Sequence, residues 1–337
     1  MLKRNKWIVC LLILAFSVCL VAGCGTSTES ETPAPADQVS ELEGTIVLYH
    51  AGSLAIPFEA LEKEFETLNP KVDVQRKSGG STALSREIVD LGQEVDIFAS
   101  ADYEIIDSMI PDYTGWNALF SNNSMVIMYT DDSKYADEIN KDNWYEVLLR
   151  EDVDYGHSNP NDDPCGYRSV LCWQLAEIRY EEPGLYQKLS DACPEENIRP
   201  KSVELISLLE TGALDYAFEY ETVARQHAQA NPIFKWVELP GKINLSELKH
   251  EEFYKQASLE TAGSEPGETV TRVGAPIAYG ITMPSAGKNT ELALEFMEFF
   301  FDREQGLKIL EANGQPIPDQ IPVNGEGMPE DLKALLQ

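Results

Sequence analysis

Two short runs, Gly44-Thr-Ile-Val-Leu-Tyr-His-Ala-Gly-Ser53 and Val95-Asp-Ile-Phe-Ala99, bracket the stretch that decides the fold. Gly44 to His50 is β-rich and ends at Ala51-Gly52-Ser53. Ile56, Phe58, Leu61, Phe65 and Leu68 then recur at helical spacing, with Pro57 suited to a first turn and Asn69-Pro70 as a stop. Val72-Asp-Val-Gln75 is the next strand, Ser78-Gly-Gly-Ser-Thr82 a glycine-rich turn, and Ala83 to Leu91 a second helix. Strand, helix, strand, helix, strand implies an α/β fold with a parallel sheet.

Working outward, Ser124 to Tyr129 is an apolar strand suited to carry the chain into a second domain. There, Gly166 to Tyr180 and Ser202 to Leu209 read as helices, Leu214 to Tyr220 as a strand, and Glu221 to His227 as a helix. Ala275 to Met283 is a strand that returns to the first domain, and Glu291 to Asn313 reads as one long amphipathic helix. The expectation is two lobes joined by crossing strands, 44–121 with 281–337 and 122–280, with a ligand cleft between them.

The N-terminus stands apart. Lys3, Arg4 and Lys6 precede an apolar run from Trp7 to Val21, and Ala22-Gly23 precede Cys24. Residues 1–23 are expected to be a secretory signal; a single transmembrane helix is the alternative, for which the run is short. Val21-Ala22-Gly23-Cys24 resembles the bacterial lipobox, which implies lipidation of Cys24 and a body held at the outer face of the cytoplasmic membrane. Gly25 to Glu43 has no apolar periodicity, so 24–43 is read as a flexible tether, spanning roughly 25 Å by random-coil scaling.

The chain carries 57 acidic against 26 basic residues, a net charge of −31. Loss of 1–23 removes three basic and no acidic residues, which makes the charge −34. A nucleic-acid surface is excluded, because neutralising phosphates requires clustered Lys and Arg. Within the body only Cys165, Cys172 and Cys193 remain. One bridge, Cys172–Cys193, and three free thiols are both open readings. His50, His157, His227 and His250 show no metal spacing, and His50 is expected to pack at a strand end. Trp116, Trp144, Trp173 and Trp236 are read as core or interface residues.

Three turns lie at helix starts: Gly52-Ser53, Gly79-Gly80-Ser81-Thr82 and Asp163-Pro164-Cys165-Gly166. A helix start has unsatisfied N–H groups and the positive end of the helix dipole, and serine hydroxyls add donors, so such turns can hold an anion without Lys or Arg. Serine is equally a favoured cap, so one such turn alone means little.

Tyr49-His-Ala-Gly-Ser-Leu54, Ser78-Gly-Gly-Ser-Thr82, Asp96-Ile-Phe-Ala-Ser-Ala-Asp102, Asn159-Pro-Asn-Asp-Asp-Pro-Cys-Gly-Tyr-Arg168 and Asp215-Tyr-Ala-Phe-Glu-Tyr220 together resemble the tungstate/molybdate-binding proteins of ABC transporters, archaeal-type branch. Glu238-Leu-Pro240 and Ala278-Tyr-Gly-Ile-Thr282 also fit, and the likeness spans about residues 44 to 320. It implies a two-lobed periplasmic-binding-protein-like fold and delivery of an oxyanion to a membrane permease and its ATPase. It also implies a monomer without a cofactor. By position, Gly52, Ser53, Ser81 and the Pro164-Cys165 backbone would donate to the oxo groups, Tyr220 would line the site, and Asp163 would reach the metal centre of the oxyanion. The family's second carboxylate aligns with Ser202, so Ser202 is expected as a further donor. Glu204 is the alternative by a change of register. With one carboxylate missing, preference for tungstate over molybdate is expected to be weaker than the family's. Arg168 is expected to brace the Asp163 turn.

Other ligands fit the same frame, among them sulfate, phosphate or a small carboxylate. An extracytoplasmic hydrolase fits less well: Ser53 and Ser81 sit in no Gly-x-Ser-x-Gly elbow, no His-Glu-x-x-His run occurs, and Ala286-Gly-Lys-Asn-Thr290 lacks the upstream glycine of a phosphate loop.

Overall fold

A computed structural model describes residues 42–336. The expected signal segment, Cys24 and nearly all of the expected tether lie outside those residues. In chain order, β1 (Glu43–Ala51), α1 (Ala55–Leu68), β2 (Lys71–Gly79), α2 (Ser81–Val89), β3 (Ile97–Ser100), α3 (Tyr103–Asp107) and β4 (Trp116–Asn122) begin the first lobe. The second lobe holds β5 (Met125–Thr130), α4 (Trp144–Leu148), β6 (Tyr155–Ser158), α5 (Pro164–Tyr180), α6 (Leu185–Ala192) and β7 (Ile198–Arg199). It continues through α7 (Leu205–Glu210), β8 (Tyr216–Tyr220), α8 (Glu221–Ala230) and β9 (Phe234–Glu238). After α9 (Glu251–Tyr254) and the hairpin β10 (Ser258–Ala262) and β11 (Thr269–Val273), β12 (Ala278–Thr282) returns to the first lobe. That lobe is completed by α10 (Thr290–Phe301), α11 (Gly306–Ala312), β13 (Val323–Gly325) and α12 (Glu330–Leu335).

The first sheet has the order β13-β4-β12-β3-β1-β2 and the second β7-β6-β8-β5-β9. β2, β1 and β3 run parallel, as strand–helix–strand alternation requires, with Ile46 beside Val74 and Leu48 beside Ile97. β12 and β4 pair antiparallel because each is a crossing strand rather than the product of a helical crossover. All of β12 pairs within the first sheet, so the return crossing precedes Ala278 and does not fall at 280/281 inside the strand.

Each lobe closes on its own aromatic core. Phe58 and Phe65 of α1 meet Phe300 and Phe296 of α10 at ring separations of 5.9 and 5.0 Å. In the second lobe Phe218 lies edge-on to Trp144 and Trp173 at 5.8 and 5.5 Å. Full burial of one such ring contributes roughly 2–3 kcal/mol. Trp236 is only partly buried, with the Arg225 guanidinium over its ring at 5.4 Å.

The expected single helix over 291–313 is two helices. Asp302 Oδ1 accepts the Glu304 N–H at 2.7 Å, a local side-chain turn that competes with helix continuation. Cys165, Cys172 and Cys193 are free and buried. The Cys172 and Cys193 thiols face different carbonyls, Ile243 at 3.0 Å and Tyr155 at 3.4 Å, so the bridge between them is absent. Among the described residues no helix is long and apolar enough to cross a membrane.

Candidate functional site

The three turns singled out in the sequence meet, together with the turn at Ser202, where the lobes touch. Gly52 begins a short 3-10 turn into α1, and a Cβ there would stand 3.3 Å from Val203 Cγ2 of the second lobe. Gly80 precedes α2, and a Cβ there would overlap the Asp162 carbonyl oxygen and come within 3.2 Å of Asp163 Cβ. Glycine is needed at position 80 because two backbones approach too closely for any side chain. Asp163 caps α5: its Oδ1 accepts the Cys165 N–H at 3.1 Å, and its Oδ2 accepts the Ser202 N–H at 2.7 Å. Gly52, Gly80, Asp163 and Ser202 thus mark one point of convergence, two from each lobe.

The hydroxyls there have a defined direction. Tyr279 accepts from Asn123 Nδ2 at 2.8 Å and donates to Ser53 Oγ at 3.0 Å. Ser81 Oγ accepts the Ala101 N–H at 3.0 Å, and the Tyr220 hydroxyl accepts from Arg168 Nη1 at 2.8 Å. Each of Ser53, Ser81 and Tyr220 is therefore held through an acceptor lone pair, and each keeps its own hydrogen for donation. All three are buried. Asn123 lies between β4 and β5, at the first crossing, and also donates to Thr222 Oγ1 at 2.9 Å. The chain Asn123–Tyr279–Ser53 joins the crossing strands to the site.

Two carboxylates share the convergence, and the sequence reading named only one. Glu219, on the fully buried central strand β8, stands beside Asp163 through a common neighbour. Its Oε1 accepts from Ser202 Oγ and from the Tyr220 N–H, each at 2.9 Å, while its Oε2 is buried with no partner. Burial pushes Glu219 up to about 8, the nearby Asp163 charge adding to the rise against its hydrogen bonds. Burial likewise pushes Asp163 up to about 6 against the N–H groups of Ser202 and Cys165. A signal for Glu219 was present in Tyr216-Ala-Phe-Glu-Tyr220: an acid within a central apolar strand is rarely buried without a purpose.

Other expectations change. The Cys165 N–H is engaged by Asp163 rather than turned toward a ligand, and Pro164 has no N–H, so that backbone supplies no donor of the kind expected. Ser202, not Glu204, is the residue of its turn that meets Asp163 and Glu219. With Glu219 in place the site does not lack a second carboxylate. Arg168 does not brace the Asp163 turn; it reaches Asp102 of the first lobe at 3.3 Å. Asp162 turns aside to Arg86 at 3.1 Å. His50 packs in the core with Nδ1 on the Ala51 carbonyl at 2.8 Å, and burial lowers it to about 4. Among the described residues no group of three or more His, Cys, Asp or Glu could hold a metal ion.

A family pattern described as "Bacterial extracellular solute-binding protein" matches residues 46–315. The chain belongs to that family. An "uncharacterized solute-binding protein" of Petrotoga mobilis is 50% identical to this solute-binding protein over 299 residues, 88% of this chain and 91% of that one. The molybdate/tungstate-binding protein WtpA of Pyrococcus abyssi is 40% identical over 347 residues, covering 95% and 96%. Among solved structures, the periplasmic molybdate-binding protein of Azotobacter vinelandii superposes with a TM-score of 0.58 at 17% identity, over 81% of this chain and 99% of its own, which shows the shared two-lobed fold.

Proposed function

We propose that this solute-binding protein captures tungstate or molybdate between its lobes and hands it to an ABC permease driven by its ATPase. In this reading it works as a monomer without a cofactor, anchored through Cys24 to the outer face of the cytoplasmic membrane. The observation that carries the reading is the pairing of hydroxyl donors with an unpartnered Glu219 Oε2 in one buried site. The hydrogens of Ser53, Ser81 and Tyr220, with the backbone at Gly52 and Ser81, would bind oxo groups. Once ionised, a carboxylate aimed at sulfate or phosphate repels it. The hard, high-valent metal of a group-six oxyanion can instead accept that oxygen as an added ligand. Glu219, together with Asp163, would raise the metal above four-coordination. The 40% identical WtpA relative supports the same ligand class.

Titration calorimetry with tungstate, molybdate and sulfate tests this, alongside X-ray absorption of the tungstate complex. The expected result is tight tungstate and molybdate binding, sulfate at least about a thousandfold weaker (roughly 4 kcal/mol), and more than four oxygens around tungsten. Sulfate binding as tight as tungstate, or four oxygens only, overturns it.

A further inference from the structure

Arg168 lies in the second turn of α5 with its side chain only 6% exposed, paired with an Asp102 that is 4% exposed. Its Nη1 donates to the Ala101 carbonyl at 2.6 Å and to the Tyr220 hydroxyl at 2.8 Å, and its Nη2 stands 3.3 Å from Asp102 Oδ1. Tyr220 is on Arg168's own lobe, whereas Ala101 and Asp102 are on the other. The second Asp102 oxygen accepts the Tyr167 hydroxyl, again across the lobes. The Ala101 N–H is the group that holds Ser81 Oγ. One planar cation therefore touches a site hydroxyl of the second lobe directly, and grips the turn that orients a site hydroxyl of the first.

We propose that Arg168 is a positioning residue that couples closure of the lobes to the donor direction of the binding site, an inference that rests on the oxyanion reading above. When the lobes part, Arg168 keeps Tyr220 but loses Ala101 and Asp102. When they close, it regains both and fixes the Tyr220 and Ser81 hydroxyls as donors in the same step. The closed state needs all of these partners, because a buried guanidinium with an unmet neighbour is strongly unfavourable. Lysine cannot replace it, since a single ammonium does not reproduce a flat fork spread over three acceptors.

The test uses the full chain with tungstate as the probe and the variants Arg168→Lys, Tyr220→Phe and their combination. Arg168→Lys should weaken tungstate binding on the order of a hundredfold, mainly through faster release. Adding Tyr220→Phe should then cost less than about threefold more, since coupled residues are not additive. A ligand-free arm uses Ser85→Cys with Ser264→Cys, whose parent hydroxyls face each other across the lobes at 2.9 Å. In a glutathione buffer this disulfide should form at least about tenfold less readily with Arg168→Lys or Asp102→Asn. Wild-type release rates in Arg168→Lys, full multiplication of the two effects, or unchanged disulfide formation each overturn the coupling. If the unsubstituted chain binds neither tungstate nor molybdate, the oxyanion reading fails instead, and the disulfide arm still decides whether Arg168 holds the lobes together.

Discussion

The two halves of the site are built on different chemistry. The first lobe brings Gly52, Ser53 and Ser81, which are small, neutral and set at helix starts. The second lobe brings the ionisable Asp163, Glu219 and Arg168, buried beside the neutral hydroxyls of Ser202 and Tyr220. The contrast suggests a division of labour. Neutral donors on one side would accept any oxyanion of the right size, and charge on the other would decide which one stays.

The strongest way to break that division is Glu219→Gln. Tungstate affinity should fall on the order of a thousandfold while sulfate affinity holds or rises, because the lost group, in its ionised form, repels one anion and ligates the other. Calorimetry that found both anions weakened equally would erase the distinction between the halves. Next comes Gly80→Val, which acts on closure rather than on chemistry. The added side chain overlaps the backbone at Asp162, which cannot move aside as a flexible side chain would. Binding of every oxyanion should drop about a hundredfold while the ligand-free melting temperature stays nearly constant; an equal loss in Tm would show that position 80 matters to folding instead.

Tyr279→Phe probes the neutral half. It removes the donor that holds Ser53 and leaves Asn123 Nδ2 with Thr222 Oγ1 as its remaining acceptor, at a cost of about 1–2 kcal/mol or roughly tenfold in affinity. Tungstate and sulfate should suffer alike, and a changed ranking would mean the first lobe also selects. The smallest effect is on pH. Glu219 has a raised folded value, about 8 against an ordinary 4.5. Between these values the folded chain holds more protons than the unfolded one, so stability falls as pH rises. The ligand-free protein should therefore lose several degrees of Tm from pH 5 to pH 8, and Glu219→Gln should flatten that slope. A slope that persists in the variant would assign it to other groups.

Much of this architecture was legible in the sequence. Residues 44–99 alternate strand and helix clearly enough to give the parallel half of the first sheet, and Asp163-Pro164 announces the start of α5. What stayed hidden was long-range. Glu219 reads as part of an apolar strand until Ser202 folds against it, and Arg168 looks tied to its neighbours until Asp102, far back along the chain, closes on it. The split between α10 and α11 escaped for a local reason: the apolar spacing continues across Asp302, and only its side-chain turn interrupts the helix. Ser202 was expected as a donor to the ligand, whereas its N–H and its hydroxyl both donate to protein carboxylates.

The three thiols of the described body have a practical consequence. Cys165, Cys172 and Cys193 are buried, and burial raises each above the ordinary thiol range, so little reactive thiolate exists at neutral pH. Maleimide dyes should pass them by. A cysteine added to the surface of each lobe would then be the pair that such dyes find in this body, and the opening and closing of a single receptor could be followed as changing energy transfer between two fluorophores.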